Sequence, residues 1–559
     1  METPEHKNAG DLIRIETFDN PYLEGSKSLS EDEENVLKVT MMRKVDGVPV
    51  PLPTKLTAGD IVALAGDYYT EAGWGFDLEI PEENYPDEQT REIFHQKIEN
   101  HEYRAFRKAY ENLASPDVTA KAVERIYSIE RNKYIPSLLK QLIYAFTVKG
   151  YGNKLTNNEA HFSPWSVRAY IVGHTSALRM AKFAHVCKQM MFEEPSISFE
   201  DQHIKDKIEQ IIRKINKDPA KYQFSNEEKY GQPPNLNQEA VLKELLARYH
   251  AMAVARDLFA MHFYSDHFAG GHLDRIGTLR QTLPKKFGTW GSVLINNMHN
   301  EDNTDSVSVT DPYQPDETKG KGQKGKDTFT MIREDNQAYG DGTYFKRENN
   351  ANADMLVNGM DNSLGDIARL MNTGKRPEPT NYGGLAFLPA IDLNKRQSQP
   401  LLIQGKDGQV YFRSEVSRIK ILSPSEYRKL LEHPENNKDY KKLTKFKAFA
   451  LVFKLRVISA LSFGLLYSPK VEKLSPEQEK QIADDENKHQ QFPQSFENDP
   501  PKESSSPEIK VSNPRKIPTK SVPSSEALVG SNPYSFHNRE ITITAPIEVE
   551  EKSFSRSYP

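Results

Sequence analysis

Within the segment AMHFYSDHFAGGHLDR, His262, Asp266 and His272 stand in the pattern H-x3-D-x5-H. On a helix, residues i and i+4 lie one above the other, so His262 and Asp266 can bind one metal ion or bridge two. Gly270-Gly271 then ends the helix and lets His272 turn back toward the same face. The only cysteine, Cys187, excludes both an intramolecular disulfide and a cysteine-built zinc site, so a metal here must use His, Asp and Glu. Three more histidines sit among apolar or small residues: His161 in NNEAHFSPW, His174 in AYIVGHTSAL and His299 in INNMHNED. A single such histidine is more often a core or surface residue than a ligand, and only the set gives the pattern weight. Glu301 and Asp302 follow His299 at i+2 and i+3, which makes Asp302 the better-placed carboxylate if it is not simply an acidic helix end. In AGDIVALAGDYY, Asp60 and Asp67 flank an apolar run, either as turn and cap residues or as members of the site.

These residues need a scaffold, and the helical period supplies one. Apolar spacing predicts helices at Tyr103–Leu113, Ser137–Val148, Pro164–Met191, His203–Ile215 and Gln238–Phe268, within a mainly α core spanning 1–373. A polar stretch at about 303–338, containing the basic run Lys319–Lys326, reads as a flexible insertion. After Thr373, two β-rich runs joined by Gly405-Lys406-Asp407-Gly408 predict a hairpin in a small α/β unit, 374–467. From Ser468 on, 12 of the 35 prolines accompany Ser, Glu, Lys and Asn, which predicts a disordered tail over 468–559. A chain of 559 residues with 37% apolar residues and a mean hydropathy of -0.71 fits this division better than one core.

The charge balance, 74 basic against 79 acidic residues, leaves a net charge of -5 and no overall field for coating a nucleic-acid backbone. The amino-terminal sequence METPEHKNAGDLIRIETF has no secretory pattern of a basic end and an apolar run. The most apolar stretch, Phe446–Tyr467, is interrupted by Lys447, Lys454 and Arg456 and should not span a bilayer. Its two remaining readings are a helix buried against the rest of the protein and a segment lying in a membrane interface.

Taken in order, GDIVALAGDYY, HFSPW, AY..GH..AL, HFYSDHFAGGHL, MHNEDN and YGDG resemble the bacterial zinc metallophospholipase C family, of the Pseudomonas and Legionella effector type. That family lies within the superfamily of zinc-dependent phospholipases C and P1/S1 nucleases. The matching motifs cover roughly residues 55 to 345. The resemblance implies a mainly α, helical phospholipase C-like core holding two or three Zn2+ ions. It implies that His161, His262 and Asp266 hold one zinc, with Asp67 as a further ligand or the water-activating carboxylate. His272 and His299 would hold another, with Asp302, or alternatively Glu301, as the acidic ligand; His174 and Asp60 are further metal or phosphate-binding positions. Two departures from the pattern stand out. Exported superfamily members use the free amino end of the mature chain as a ligand, whereas this chain starts at Met1 without a cleavage signal; and Asn303 stands where the superfamily has a carboxylate.

The activity implied is hydrolysis of glycerophospholipids, phosphatidylcholine and its relatives, to diacylglycerol and a phosphorylated head group by metal-activated water, with Asp67 and Asp266 as catalytic carboxylates. The partners are then a glycerophospholipid substrate and a phospholipid membrane surface. The alternatives are a P1/S1-like zinc nuclease, which the lack of a basic groove disfavours, and a non-enzymatic helical interaction protein. The missing Sec signal and the carboxy-terminal composition resemble effectors injected into a host cell by a type IV-like system, acting at host membranes.

Overall fold

Asp46 and Gly47, with φ of 51° and 89°, form a two-residue turn whose left-handed residue conformations suit the right-handed twist of the strands it joins, β1 (Lys38–Val45) and β2 (Val48–Thr57), in an antiparallel hairpin. Helix α1 (Thr3–Asp11) precedes it and α2 (Ala58–Ala65) follows directly. Thr57 caps α2: its Oγ1 accepts from the Asp60 amide while Asp60 Oδ2 accepts from the Thr57 amide. The computed structural model describes residues 1–14, 19–25, 36–66, 68–70, 104–131, 159–192, 199–310, 336–462 and 466–491. The helix expected at Ser137–Val148 and the basic run Lys319–Lys326 lie outside these residues.

The protein is mainly α, as its sequence predicts. Helices α3 (Arg104–Leu113) and α4 (Ala120–Arg131) lead to α5 (Trp165–Met191), α6 (Phe199–Lys217) and α7 (Gln238–Asp266). Most of α5 and of α7 is buried on every side, which fits sequences apolar all round rather than along one stripe. These two helices pack along each other through the centre of the main hydrophobic core, and α2, the hairpin and α10 (Asn350–Thr373) close around them. Between α7 and α10 come α8 (Asp274–Phe287) and α9 (Thr289–Asp305), a helical pair folded back at Gly288.

After α10 the predicted hairpin is present as β3 (Leu402–Gln404) and β4 (Val410–Arg413), with β5 (Tyr440–Lys442) on the other side of β4. Helices α11 (Pro424–Glu432) and α12 (Lys445–Val452) complete this region. It shares a second hydrophobic core with α8 and α9: Leu279, Leu283, Leu294 and Met298 pack with Leu401, Val410, Leu443 and Leu451. The tail reading needs correction at its start. Residues Pro476–Gln491 form helix α13, held by Glu486 and Glu479 on Arg396 and by Asp485 on Ser425. The expected tail beyond Gln491 lies outside the described residues.

Candidate metal centre

The last turn of α7 presents His262 and Asp266 on one face, and both are buried. Past the end of α7, the tight turn Gly270–His272 brings the ring of His272 back, with Nδ1 3.2 Å from Asp266 Oδ1. His161, in the turn before α5, sets Nδ1 2.7 Å from Asp266 Oδ2 and 3.2 Å from His262 Nε2. His299 reaches in from α9. Five residues expected at the site from sequence, His161, His262, Asp266, His272 and His299, thus meet in one place.

Two more side chains and one backbone group join them. His6 on α1 places Nε2 3.3 Å from Asp266 Oδ1, and Asp341 places Oδ2 3.2 Å from His299 Nε2. The buried α-amino group of Met1 lies 2.9 Å from Asp266 Oδ1 and 3.1 Å from Asp341 Oδ1. Two sets of donor atoms within 4.8 Å of one another result, His6/His262/Asp266 and His272/His299/Asp341, and each could hold a metal ion. The first set is buried, whereas Asp341 in the second is 27% exposed, so access to the centre runs past Asp341 and His299.

The outer hydrogen bonds fit a metal. Ser265 donates its hydroxyl to the His262 carbonyl, so its oxygen accepts from His6 Nδ1–H at 2.7 Å and the Nε2 lone pair of His6 faces the cluster. In the same way Nδ1–H donates to the Val62 carbonyl from His262, to the His161 carbonyl from His272 and to Asn300 Oδ1 from His299. Donation through one ring nitrogen fixes the tautomer and leaves the other as a ligand. His6 Nε2 is buried yet makes no hydrogen bond, as a ligand atom without an ion would.

Electrostatics point the same way. Burial and the neighbouring His6 hold the His262 ring well below the usual histidine range, and burial with the Met1 ammonium pushes His272 down to about 4. Both rings are therefore neutral near pH 7. Burial alone would raise the Asp266 carboxyl, but Met1, His272, His6 and His262 outweigh it and hold it well down.

The remaining expected residues lie elsewhere. Asp302 does not join His299: both its oxygens are taken by Arg275, at 2.5 and 2.7 Å, while Glu301 pairs with Arg413 at 3.0 Å. Asn303 accepts from the Gly271 amide through Oδ1 and sets its Nδ2 3.2 Å from His299 Nε2, so it braces the turn beside that ring. Asp60 caps α2 and pairs with Lys7 at 2.7 Å. His174 is buried between helices, with Nδ1 2.7 Å from Asp257 on α7 and Nε2 3.3 Å from Asp366 on α10. It ties three helices together and belongs to neither donor set. Asp67 lies outside the described residues; its neighbour Gly66 abuts the ring of His262.

His6 stands in the polar surroundings METPEHKN at the amino end, where no spacing rule links it to residue 266, and nothing in the sequence read alone marks it. Asp341 carried a signal, since it is the aspartate of the YGDG motif, but between two glycines it reads as a turn residue. Comparison with protein-family models, curated proteins and solved structures finds no match to this chain.

Proposed function

We propose that the chain is a metal-dependent phosphodiester hydrolase and, within that class, a zinc phospholipase C acting on glycerophospholipids. The observation that carries the reading is the convergence of four tautomer-fixed imidazoles, His161 and two carboxylates on one partly open centre. Zinc held there would neutralise the charge of the phosphodiester and lower the pKa of water toward ~7. The assignment to lipid rather than nucleic acid rests on the motif resemblance and on the net charge of -5.

The chain's own residues supply orientation. Asp266 contacts His161 through one oxygen and His6 and His272 through the other, so it fixes the two donor sets relative to each other. Ionised at working pH, it orients the attacking water and is too weak a base to keep that water's proton. The phosphodiester enters past Asp341 and His299. A bond from the water oxygen to phosphorus forms, the bond from phosphorus to the glycerol oxygen breaks, and the proton that the water gives up ends on that oxygen, which leaves as the hydroxyl of diacylglycerol.

The test is diacylglycerol release from phosphatidylcholine and phosphatidylglycerol vesicles by zinc-loaded protein, with Asp266→Ala alongside and bound zinc measured on both. Release and zinc are expected in the wild type and lost together in the variant. Equal turnover by Asp266→Ala would overturn the assignment, and cutting of single-stranded DNA without lipid hydrolysis would move it to a nuclease.

A further inference from the structure

The segment that begins with α12 has two faces. It continues through a π-helical turn, Phe453–Ile458, and a last turn, Ser459–Leu461. Ala448, Leu451 and Val452 are buried in the second core. Phe446, Phe449, Phe453, Val457 and Leu461, spaced 3, 4, 4 and 4 residues apart, all stand exposed, Phe446 by 79% and Leu461 by 76%. Trp290, exposed on α9, packs edge-on against Phe449 with ring centroids 5.2 Å apart and widens the ridge. A contiguous apolar ridge of this kind on a folded surface marks an interaction site.

Charge indicates what covers it. Between Tyr440 and Pro469 the chain has Lys441, Lys442, Lys445, Lys447, Lys454 and Arg456 and not one Asp or Glu, although the whole molecule carries -5. All six basic side chains are exposed, flanking the aromatic ridge. Long basic side chains can keep their charges at the level of lipid head groups while Phe, Val and Leu enter the acyl boundary. Among the described residues no helix is long and apolar enough to cross a membrane, so this segment would lie along one.

We infer that the ridge from Phe446 to Leu461 docks the protein onto an anionic phospholipid surface. Placement gives this docking a use. Helix α9 carries Trp290 at one end and His299 nine residues on, about 14 Å along the axis, and Arg456 hydrogen-bonds Asn296 between them. The surface that docks and the entrance to the metal centre therefore share a helix. Docking stands without the hydrolytic reading; only the delivery of substrate to the centre rests on it.

The experiment is flotation of the full chain with phosphatidylglycerol and with phosphatidylcholine vesicles, at low and high salt. Phosphatidylglycerol should bind about tenfold or more better, with the preference falling as salt rises. Phe446→Ser/Leu461→Ser and, separately, Lys447→Glu/Lys454→Glu should each lose at least about tenfold in binding with an unchanged melting temperature. Absence of vesicle binding, equal binding to both lipids, or folded variants that bind like the wild type would overturn the inference. Hydrolysis of a short-chain, monomeric phosphodiester separates the two proposals. If it persists while flotation fails, docking falls and the enzyme stands; if flotation persists while Asp266→Ala and wild type are equally inert, the reverse holds.

Discussion

Asp266 touches His6, His161, His262, His272 and the Met1 amino group, and two further aspartates near His299 play opposite roles. Asp341 turns both oxygens into the cluster, one toward the Met1 amino group and one toward His299, whereas both oxygens of Asp302 are consumed by Arg275. Asp341→Asn should therefore weaken zinc binding by more than the ~10–100-fold that loss of an outer hydrogen-bond partner costs, with little change in melting. Asp302→Asn should do the reverse, keeping the metal and losing about 3–5 kcal/mol of stability as Arg275 is left buried without its partner. Titrating zinc into both variants and melting them checks the pair. The spacing of His262, Asp266 and His272 made the heart of this centre legible, because i+4 on a helix and a Gly-Gly turn are local geometry. Asp302 was misread because nearness in sequence to His299 says nothing of Arg275, 27 residues away and in contact.

At the level of elements, α2 ends where α7 needs room. A Cβ on Gly66 would stand 1.7 Å from His262 Nε2, while its φ of -79° suits alanine. Gly66→Ala should thus leave α2 intact and push the ring out of place, which metal analysis would register as at least one ion lost. Helices α5, α7 and α10 meet at His174, where burial would lower the ring's pKa but Asp257 and Asp366 raise it to about 9. A raised histidine contributes its full stability below pH 6.5 and loses it as pH climbs through 9, a span worth roughly 3 kcal/mol. Melting at pH 6 and pH 9 should show a drop in the wild type that His174→Gln lacks; parallel drops would refute the role. The long helices were readable because burial leaves a periodic trace. Helix α13 was not, since Pro, Glu and Lys in Pro476–Gln491 look like a solvated tail and its anchors, Arg396 and Ser425, lie far back in the chain.

For the molecule as a whole, the division at Thr373 that composition suggests does not coincide with a division of cores. Leu279, Leu283, Leu294 and Met298 are covered by residues from Leu401 to Val452, so the carboxy-terminal strands complete the packing of α8 and α9. A chain stopped at Thr373 should accordingly expose this face and aggregate or melt at much lower temperature than the full chain, which size-exclusion chromatography and calorimetry would reveal. A fully soluble, zinc-binding 1–373 fragment would argue for independent units. The donors of the centre run from His6 to Asp341, and neither of the two donor sets is complete within a short stretch. On a ribosome, the set built on His272 and His299 stays unfinished until residue 341 has emerged, 69 residues after His272. Assembly of both donor sets is thereby a late event of biosynthesis, and under the proposed function a nascent chain would carry no finished centre with which to attack a membrane.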